Sequence, residues 1–480
     1  MSPSPTGPPR VAAGVWRHRG FWIVIALYVL VNAGLWVATE PDLRLQYAGD
    51  GTSWYSPAVG LYQHGAFVLA DTPGEPSVYR PPLFSLFGAA MFGLFGGPSP
   101  NAIAVGQIVL LLLTALLFRD SVEDWLPGWG VLAMALMLFN PNVLTIAQYT
   151  QSDTLFLFFL TLSLWATLRF ARGETAWRYP LSAGVALALA SLTRPTAQFL
   201  ILALPLAFPL IATAGGRSHL VWRGLLQGCL ASLLAVALIA PWIAYVNRVD
   251  GHYGLSDTHS RYRYVWDQAT IVEAQSSGVS YHQASRTLEV DPDGPRARFI
   301  AEFGPGWNDL AESGRYAYLL DRGYGLLLSY PAADLAIAYT RSIAQFLLGG
   351  GAGRWHYLLD TDPERLAEIW FETSQTDLGG MVRKYLEVPP LALAASAVCF
   401  GFVFLARVFG LIGMVAMINR KDWPLLLTLV AVIAYFALVH LFVGNSRYRM
   451  VTEPALMMLF LYGLATVWRR WRERRATQGR

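Results

Sequence analysis

Two acidic side chains, Asp50 and Asp153, stand beside long apolar segments, where a carboxylate has few structural uses. Asp50 lies in a short polar stretch soon after the first apolar segment. Asp153 lies in the short loop between two later ones. A carboxylate at such a place can act as a general base, bind a metal, cap a helix or remain a solvated charge. Local spacing leaves these alternatives open.

Arginines form a second set at the ends of apolar stretches, where charges are costly and tend to be paired or functional. The set consists of Arg80, Arg194, Arg447 and Arg449. Arg80 precedes a proline pair that predicts a helix start, and Arg447 and Arg449 flank Tyr448. Guanidinium groups fit a phosphate. The alternatives are contacts with lipid headgroups and, for Arg194, Arg447 and Arg449, pairing with Glu453.

Composition indicates what must position these residues. The chain has 480 residues, of which 54% are hydrophobic and 14% charged, against about a quarter charged in soluble proteins. Runs of about twenty apolar residues recur, and in lipid such runs must be helices. The sequence therefore predicts an all-α integral membrane protein. Two cysteines in apolar stretches exclude a disulfide framework, and the net charge of +4 reflects topology rather than nucleic-acid binding.

Hydropathy predicts a bundle of about ten transmembrane helices. Their approximate ranges are 20–38, 101–118, 129–148, 154–170, 179–193, 196–213, 223–245, 391–417, 423–443 and 454–468. Arginines concentrate in alternate short loops and in the tail, so the positive-inside rule places both termini in the cytoplasm. Asp50, Asp153 and the four arginines then share the extracytoplasmic face. The preference for arginine over lysine resembles GC-rich bacterial coding and indicates a bacterial inner (plasma) membrane.

The predicted organisation has three parts: an N-terminal transmembrane part (1–245), an extracytoplasmic loop region (246–390), and C-terminal transmembrane helices with a basic cytoplasmic tail (391–480). The first outer loop, 39–100, contains two apolar stretches that predict juxtamembrane helices at about 52–67 and 82–95. The stretch 250–309 is polar and is expected to be a loop.

Carboxylates and arginines on one surface suit group transfer from a lipid-phosphate donor. A carboxylate would deprotonate an acceptor hydroxyl, and arginines would stabilise the departing phosphate. A transporter or flippase of a phosphate-bearing lipid or glycan would also collect arginines, but it usually needs polar residues near the bilayer midplane, which are scarce here. A non-catalytic assembly subunit would need neither carboxylate.

Several short motifs together resemble the GT-C membrane glycosyltransferases. They are Arg80-Pro81-Pro82-Leu83, Ser152-Asp153-Thr154-Leu155, Thr193-Arg194-Pro195, and Arg447-Tyr448-Arg449 followed by Glu453-Pro454. The chain is most similar to the protein mannosyltransferase and aminoarabinose transferase branch, which uses polyprenyl- or dolichyl-phosphate sugars. The resemblance implies inverting transfer of a hexose or pentose on the outer face.

The resemblance also implies roles for single residues. Asp50 would be the general base, and Asp153 would be the catalytic-site acid of the second outer loop. The residues implied at the donor phosphate are Arg80, Arg194, Arg447, Tyr448 and Arg449.

The resemblance leaves the cofactor and the acceptor open. Two nearby carboxylates make a divalent metal one alternative. However, Tyr79 stands where some relatives have an acid before the proline pair, which argues against a metal site built from that position. The expected partners are the polyprenyl-phosphate sugar, membrane lipids, and a protein, lipid or glycan acceptor.

Overall fold

The structure, a computed structural model, describes residues 19–46, 50–358 and 389–478. The last part of the predicted 246–390 region, residues 359–388, lies outside the described residues. The described residues form α-helices, with short 3-10 and π segments, and no β-strand; one isolated bridge joins Val68 and Pro76. The predicted all-α class is confirmed.

The described α-helices are α1 (Arg19–Ala38), α2 (Leu43–Gln46), α3 (Gly51–His64), α4 (Pro82–Phe95), α5 (Pro100–Trp125), α6 (Gly130–Leu138), α7 (Pro141–Ile146), α8 (Asp153–Ala171), α9 (Arg178–Thr193), α10 (Gln198–Ala214), α11 (Val221–Asp250), α12 (Thr258–Ser276), α13 (Tyr281–Ser285), α14 (Pro295–Phe303), α15 (Glu312–Ser329), α16 (Ala332–Leu348), α17 (Gly353–Leu358), α18 (Pro390–Arg420), α19 (Trp423–Val439), α20 (Ser446–Arg449) and α21 (Glu453–Gln478).

Seven helical segments in the described part of the chain are long and apolar enough to cross a membrane, so the chain is an integral membrane protein. They are Arg19–Ala38, Pro100–Trp125, Asp153–Ala171, Pro195–Ala214, Ser218–Asp250, Pro390–Arg420 and Ser446–Gln478. Helices α9 and α19 match two further predicted spans but are shorter.

The predicted span 129–148 is wrong as one continuous helix. It is divided into α6 and α7 at Asn140, whose side chain accepts a hydrogen bond from the backbone N–H of Asn142 and so caps α7. Pro141 follows directly, and a proline has no N–H to continue the preceding helix. This break leaves the residues after α7 free to form the polar loop that carries Ser152.

Close packing brings the last helix into the middle of the bundle. Helices α18 and α21 meet at Gly413 and Gly463, where a Cβ on either glycine would overlap the backbone of the other helix. Small residues allow such approach between membrane helices. Most of the α21 span is buried, which fixes the position of the short helix α20 that precedes it.

The segment that follows α11 differs from the polar loop that the sequence predicted. Residues 258–303 include α12, α13 and α14, and Trp266 of α12 packs in a small core with Leu319 and Leu320 of α15. Asp257 starts α12 by accepting the backbone N–H of Ser260. The apolar residues of α12 follow helical spacing within a polar sequence, and that pattern is easily read as loop.

Candidate active site

Asp50 precedes helix α3, but its side chain does not cap that helix. The carboxylate instead contacts two guanidinium groups, those of Arg80 and Arg447. The backbone is tightly placed here, because a Cβ at Gly51 would overlap the backbone of Leu45. Helix capping, one of the alternatives that the sequence left open for Asp50, is therefore not what its side chain does.

Arg80 lies just before α4 and is held on three sides. Its Nη2 lies 3.3 Å from Asp50 Oδ1 and donates to Ser53 Oγ at 2.9 Å. The guanidinium carbon lies 4.4 Å from the ring centroid of Trp54 and 4.7 Å from that of Tyr79. Stacking between aromatic rings orients a planar cation without neutralising its charge.

Arg447 joins the two predicted acids. Its Nη1 donates to Asp50 Oδ2 at 2.8 Å, and its Nη2 lies 3.2 Å from Asp153 Oδ2. Arg194 binds the same Asp153 carboxylate through both terminal nitrogens at 2.8 Å, and its Nε donates to Ser152 Oγ at 2.8 Å. Residues almost 400 positions apart therefore meet in one ionic network.

We call this network the Asp50 cluster; it consists of Asp50, Arg80, Asp153, Arg194 and Arg447. Three arginines against two aspartates leave one positive charge in excess. The Asp153 side chain is 0% exposed and Arg447 7%, whereas Asp50 is 36% exposed. The cluster is thus closed at Asp153 and open at Asp50, and its excess charge suits an anionic ligand.

The charge state of Asp50 follows from this geometry. Burial raises the pKa of its carboxyl, but the guanidinium groups of Arg447 and Arg80 outweigh burial and hold the pKa below its ordinary value. Opposite charges at such distances favour the ionised form. Asp50 is therefore a carboxylate at neutral pH and can accept a proton.

Tyr448 is fixed beside the cluster by a different contact. Its ring stacks on His440, with ring centroids 4.4 Å apart, and its backbone N–H donates to Asn445 Oδ1. His440 in turn contacts the carbonyl oxygen of Phe436 through Nδ1 at 2.7 Å. The histidine thus serves helix packing, and the stack sets the direction of α20.

Arg449 lies apart from the Asp50 cluster. Its Nε donates to Glu453 Oε1 at 2.8 Å, and its Nη1 donates to the carbonyl oxygens of Phe346 and Gly349 at 3.0 and 2.6 Å. Asn140 Nδ2 donates to the other carboxylate oxygen of Glu453 at 3.1 Å. Both charged side chains are essentially fully buried. Arg449 is therefore paired with Glu453, as one of the alternatives had it. The resemblance had grouped Arg449 with Arg447 at the donor phosphate.

The donor set of the cluster does not fit a divalent metal. Each oxygen of Asp50 and of Asp153 faces a guanidinium nitrogen within 3.3 Å. A metal would need those oxygens together with further oxygen ligands. Among the described residues, no group of three or more histidine, cysteine, aspartate or glutamate side chains is placed to hold an ion.

Three polar residues of the site were not among the predicted ones. Ser53 and Ser152 accept hydrogen bonds from Arg80 and Arg194, and Asn445 caps the helix that carries Arg447. Each lies within three residues of a predicted site residue, which is the only signal that the sequence offers for them.

Comparison with protein families gives one match. Residues 79–245 match the family described as "Dolichyl-phosphate-mannose-protein mannosyltransferase". This range is about a third of the chain and contains Arg80, Asp153 and Arg194, whereas Asp50 and Arg447 lie outside it. Comparison with curated proteins gives no significant match.

Solved structures that match this chain at low similarity include those of two proteins. The archaeal oligosaccharyltransferase AglB from Archaeoglobus fulgidus, in complex with an inhibitory peptide and a dolichol-phosphate, has 14% identity and a TM-score of 0.49 over 96% of this chain. The chain spans 52% of the length of that protein. ArnT from Cupriavidus metallidurans, bound to undecaprenyl phosphate, has 14% identity and a TM-score of 0.37, over 95% of this chain and 79% of that one.

Scores below 0.5 are too low for these structures to assign an activity or a site. The family match rests on the sequence itself and includes three of the motifs on which the expectation was based. The chain is thus similar to the polyprenyl-phosphate-dependent membrane glycosyltransferases of the GT-C type, as its motifs predicted.

Proposed function

We propose that this protein transfers a sugar from a polyprenyl-phosphate donor to a hydroxyl group of an acceptor. The observation that supports this most directly is the position of Arg447, which contacts Asp50 and Asp153 at once in a cluster with one excess positive charge. A base that is held ionised next to an anion-binding set is the arrangement that such a transfer requires.

The proposed reaction is a single displacement. Asp50 takes the proton of the acceptor hydroxyl while its oxygen attacks the anomeric carbon of the sugar. The bond between that carbon and the phosphate oxygen breaks, and its electron pair leaves with the phosphate. The polyprenyl phosphate gains negative charge in this step, and Arg447 and Arg80 are placed to stabilise it. A single displacement inverts the anomeric configuration.

Asp153 has a different proposed role. It is fully buried and bound by two arginines, so it is closed to an acceptor. We assign it as a positioning residue that holds the guanidinium groups of Arg194 and Arg447 beside the donor phosphate. Tyr448, stacked on His440, keeps the α20 backbone and hence Arg447 in register.

The orientation and the substrates are part of the proposal. The arginine distribution supports cytoplasmic termini and an extracytoplasmic site in a bacterial inner membrane. The acceptor is a protein, lipid or glycan, and the sugar is a hexose or a pentose. Because every oxygen of both carboxylates faces a guanidinium group, we propose that the transfer needs no metal at this site.

Mass spectrometry of lipids that co-purify with the protein tests the proposal. Wild type and Asp50→Asn are compared, with Asp71→Asn as a matched control, because Asp71 lies in the same outer loop outside the cluster. We expect sugar-charged polyprenyl phosphate on Asp50→Asn, and bare polyprenyl phosphate on wild type and on the control. Ordinary phospholipids alone on all three proteins would contradict the donor assignment and favour a transporter.

A further inference from the structure

A polar cavity lies at the other end of the bundle from the Asp50 cluster. It has a volume of about 570 Å³. Its wall includes Trp125, Trp129, Arg420, Trp468, Arg469 and Arg472. We call it the basic cavity.

Its position follows from helix α21, which begins at Glu453, six residues after Arg447, and carries Arg469 near its other end. At a rise of about 1.5 Å per residue, these two residues are about 24 Å apart along the helix axis. That distance approaches the thickness of the hydrocarbon layer, about 30 Å. The basic cavity therefore opens at the opposite membrane surface and is independent of the proposed transfer.

The wall of the basic cavity is positively charged. It holds three arginines and one acid, Asp422, whose carboxylate already accepts a hydrogen bond from Tyr462 Oη. Two of the arginines rest on aromatic rings: Arg420 lies 5.8 Å from the ring centroid of Tyr462, and Arg472 lies 5.1 Å from that of Trp468. The wall thus has a net charge of +2, and two of its three guanidinium groups are oriented by aromatic rings.

Tryptophans give the wall a second kind of binding group. The indole N–H of Trp125 is shielded from solvent and has no hydrogen-bond partner among the described residues. Tryptophan is enriched at membrane surfaces, where its ring meets lipid and its N–H meets polar headgroups. Exposed Leu132 and half-buried Leu136 follow Trp129 by three and seven residues, so they continue one face of α6 from the cavity wall toward the membrane interior.

We propose that the basic cavity binds the phosphate group of an anionic phospholipid. Arginines and an indole N–H supply donors for the phosphate oxygens, and the apolar helix surface beside them accommodates acyl chains. The shared chemistry is a phosphate anion, which a free phosphate ion would also offer, but only a lipid uses the apolar surface as well.

Native mass spectrometry of the full chain in detergent tests this proposal. The probes are phosphatidylglycerol, phosphatidylcholine and inorganic phosphate, each titrated separately. The cavity variant is Arg420→Gln/Arg469→Gln/Arg472→Gln. The matched control is Arg470→Gln/Arg474→Gln/Arg475→Gln, which removes the same charge from the same basic end of α21 without altering the cavity wall.

We expect wild type to bind one phosphatidylglycerol at least tenfold more tightly than phosphatidylcholine. The cavity variant should lose about tenfold or more of that affinity, and the control should keep it. Equal losses in both variants would overturn the proposal, since they would show general attraction to a basic tail. Displacement of the lipid by inorganic phosphate at an equal concentration would assign the site to free phosphate and contradict a lipid site. Equal binding of the two lipids would also contradict it.

Discussion

Arg447 and Arg449 lie two residues apart on one short helix, yet their surroundings differ in charge and in access. Arg449 and Glu453 form a buried pair whose charges cancel, and backbone carbonyls take further guanidinium donors. Arg447 belongs to a cluster with an uncompensated positive charge that reaches the partly exposed Asp50. The first pair is neutral and buried, whereas the second cluster carries an excess positive charge and is partly open to solvent, which suits an anion.

The two arginines of Arg447-Tyr448-Arg449 have different surroundings because they point to different sides of α20. A helix of four residues turns alternate side chains to different sides, so Arg447 points to the loops before α3 and α8. Arg449 points to the end of α16 and the start of α21. Burial of a charge is tolerated when it is paired and hydrogen-bonded, which is the case for Arg449. Arg449 thus stabilises the fold, whereas Arg447, two residues away, belongs to the proposed active site.

The largest expected effect is that of Asp50→Asn on catalysis. The amide keeps the shape of the side chain but cannot take a proton, so the transfer rate should fall about 100- to 10,000-fold. Donor binding should remain, because the arginines are unchanged. Rates with saturating donor measure this effect, and Asp71→Asn should behave as wild type. Full transfer by a folded Asp50→Asn protein would remove Asp50 as the base.

Arg449→Gln should act on stability rather than on the chemistry. Removal of one partner from a buried ion pair costs about 3–5 kcal/mol, so the thermal unfolding midpoint in detergent should drop. The exposed Arg341→Gln is the control and should change stability by about 0.5 kcal/mol or less. Arg449→Gln/Glu453→Gln should recover part of the loss. A stable Arg449→Gln protein with weakened donor binding would return Arg449 to the phosphate site.

Arg447→Gln should weaken binding of the lipid-phosphate donor. A hydrogen bond to a charged group contributes about 1.5–3 kcal/mol, which corresponds to a loss in donor affinity of about 10- to 100-fold. The measurement is binding of the lipid that co-purifies with Asp50→Asn. Unchanged affinity in Arg447→Gln would break the contrast between the two arginines.

The pH dependence gives a smaller effect with a definite sign. The pKa of Asp50 lies below its ordinary value of 3.8, because Arg447 and Arg80 outweigh burial. The carboxylate is lost only as pH falls through this lowered pKa, so the Asp50-dependent rate should be flat from about pH 5 to pH 8. In Arg447→Gln the largest lowering contribution is gone, so the acid limb should move to higher pH. An acid limb near pH 6 in wild type would contradict the proposed charge state.

Much of the fold could be predicted from the sequence, because long apolar runs indicate where membrane helices lie and roughly how many there are. The break at Asn140 could not be, because the apolar pattern continues across Pro141 and only the proline marks it. The helices between 258 and 303 could not be predicted, because each buries only a narrow apolar face within a polar sequence. Motifs identified the charged residues of the site, but which guanidinium binds which carboxylate depends on helix directions that no local pattern contains.

The most direct measurement is a single turnover of the protein's own donor. Wild type and Asp50→Asn, each loaded with the sugar-charged lipid isolated from Asp50→Asn, are mixed with a membrane extract that supplies the acceptor. Mass spectrometry follows the lipid. We predict that wild type converts it to bare polyprenyl phosphate while Asp50→Asn keeps it bound and charged. Equal conversion by both proteins, or conversion by neither, would contradict a transferase that uses Asp50 as its base.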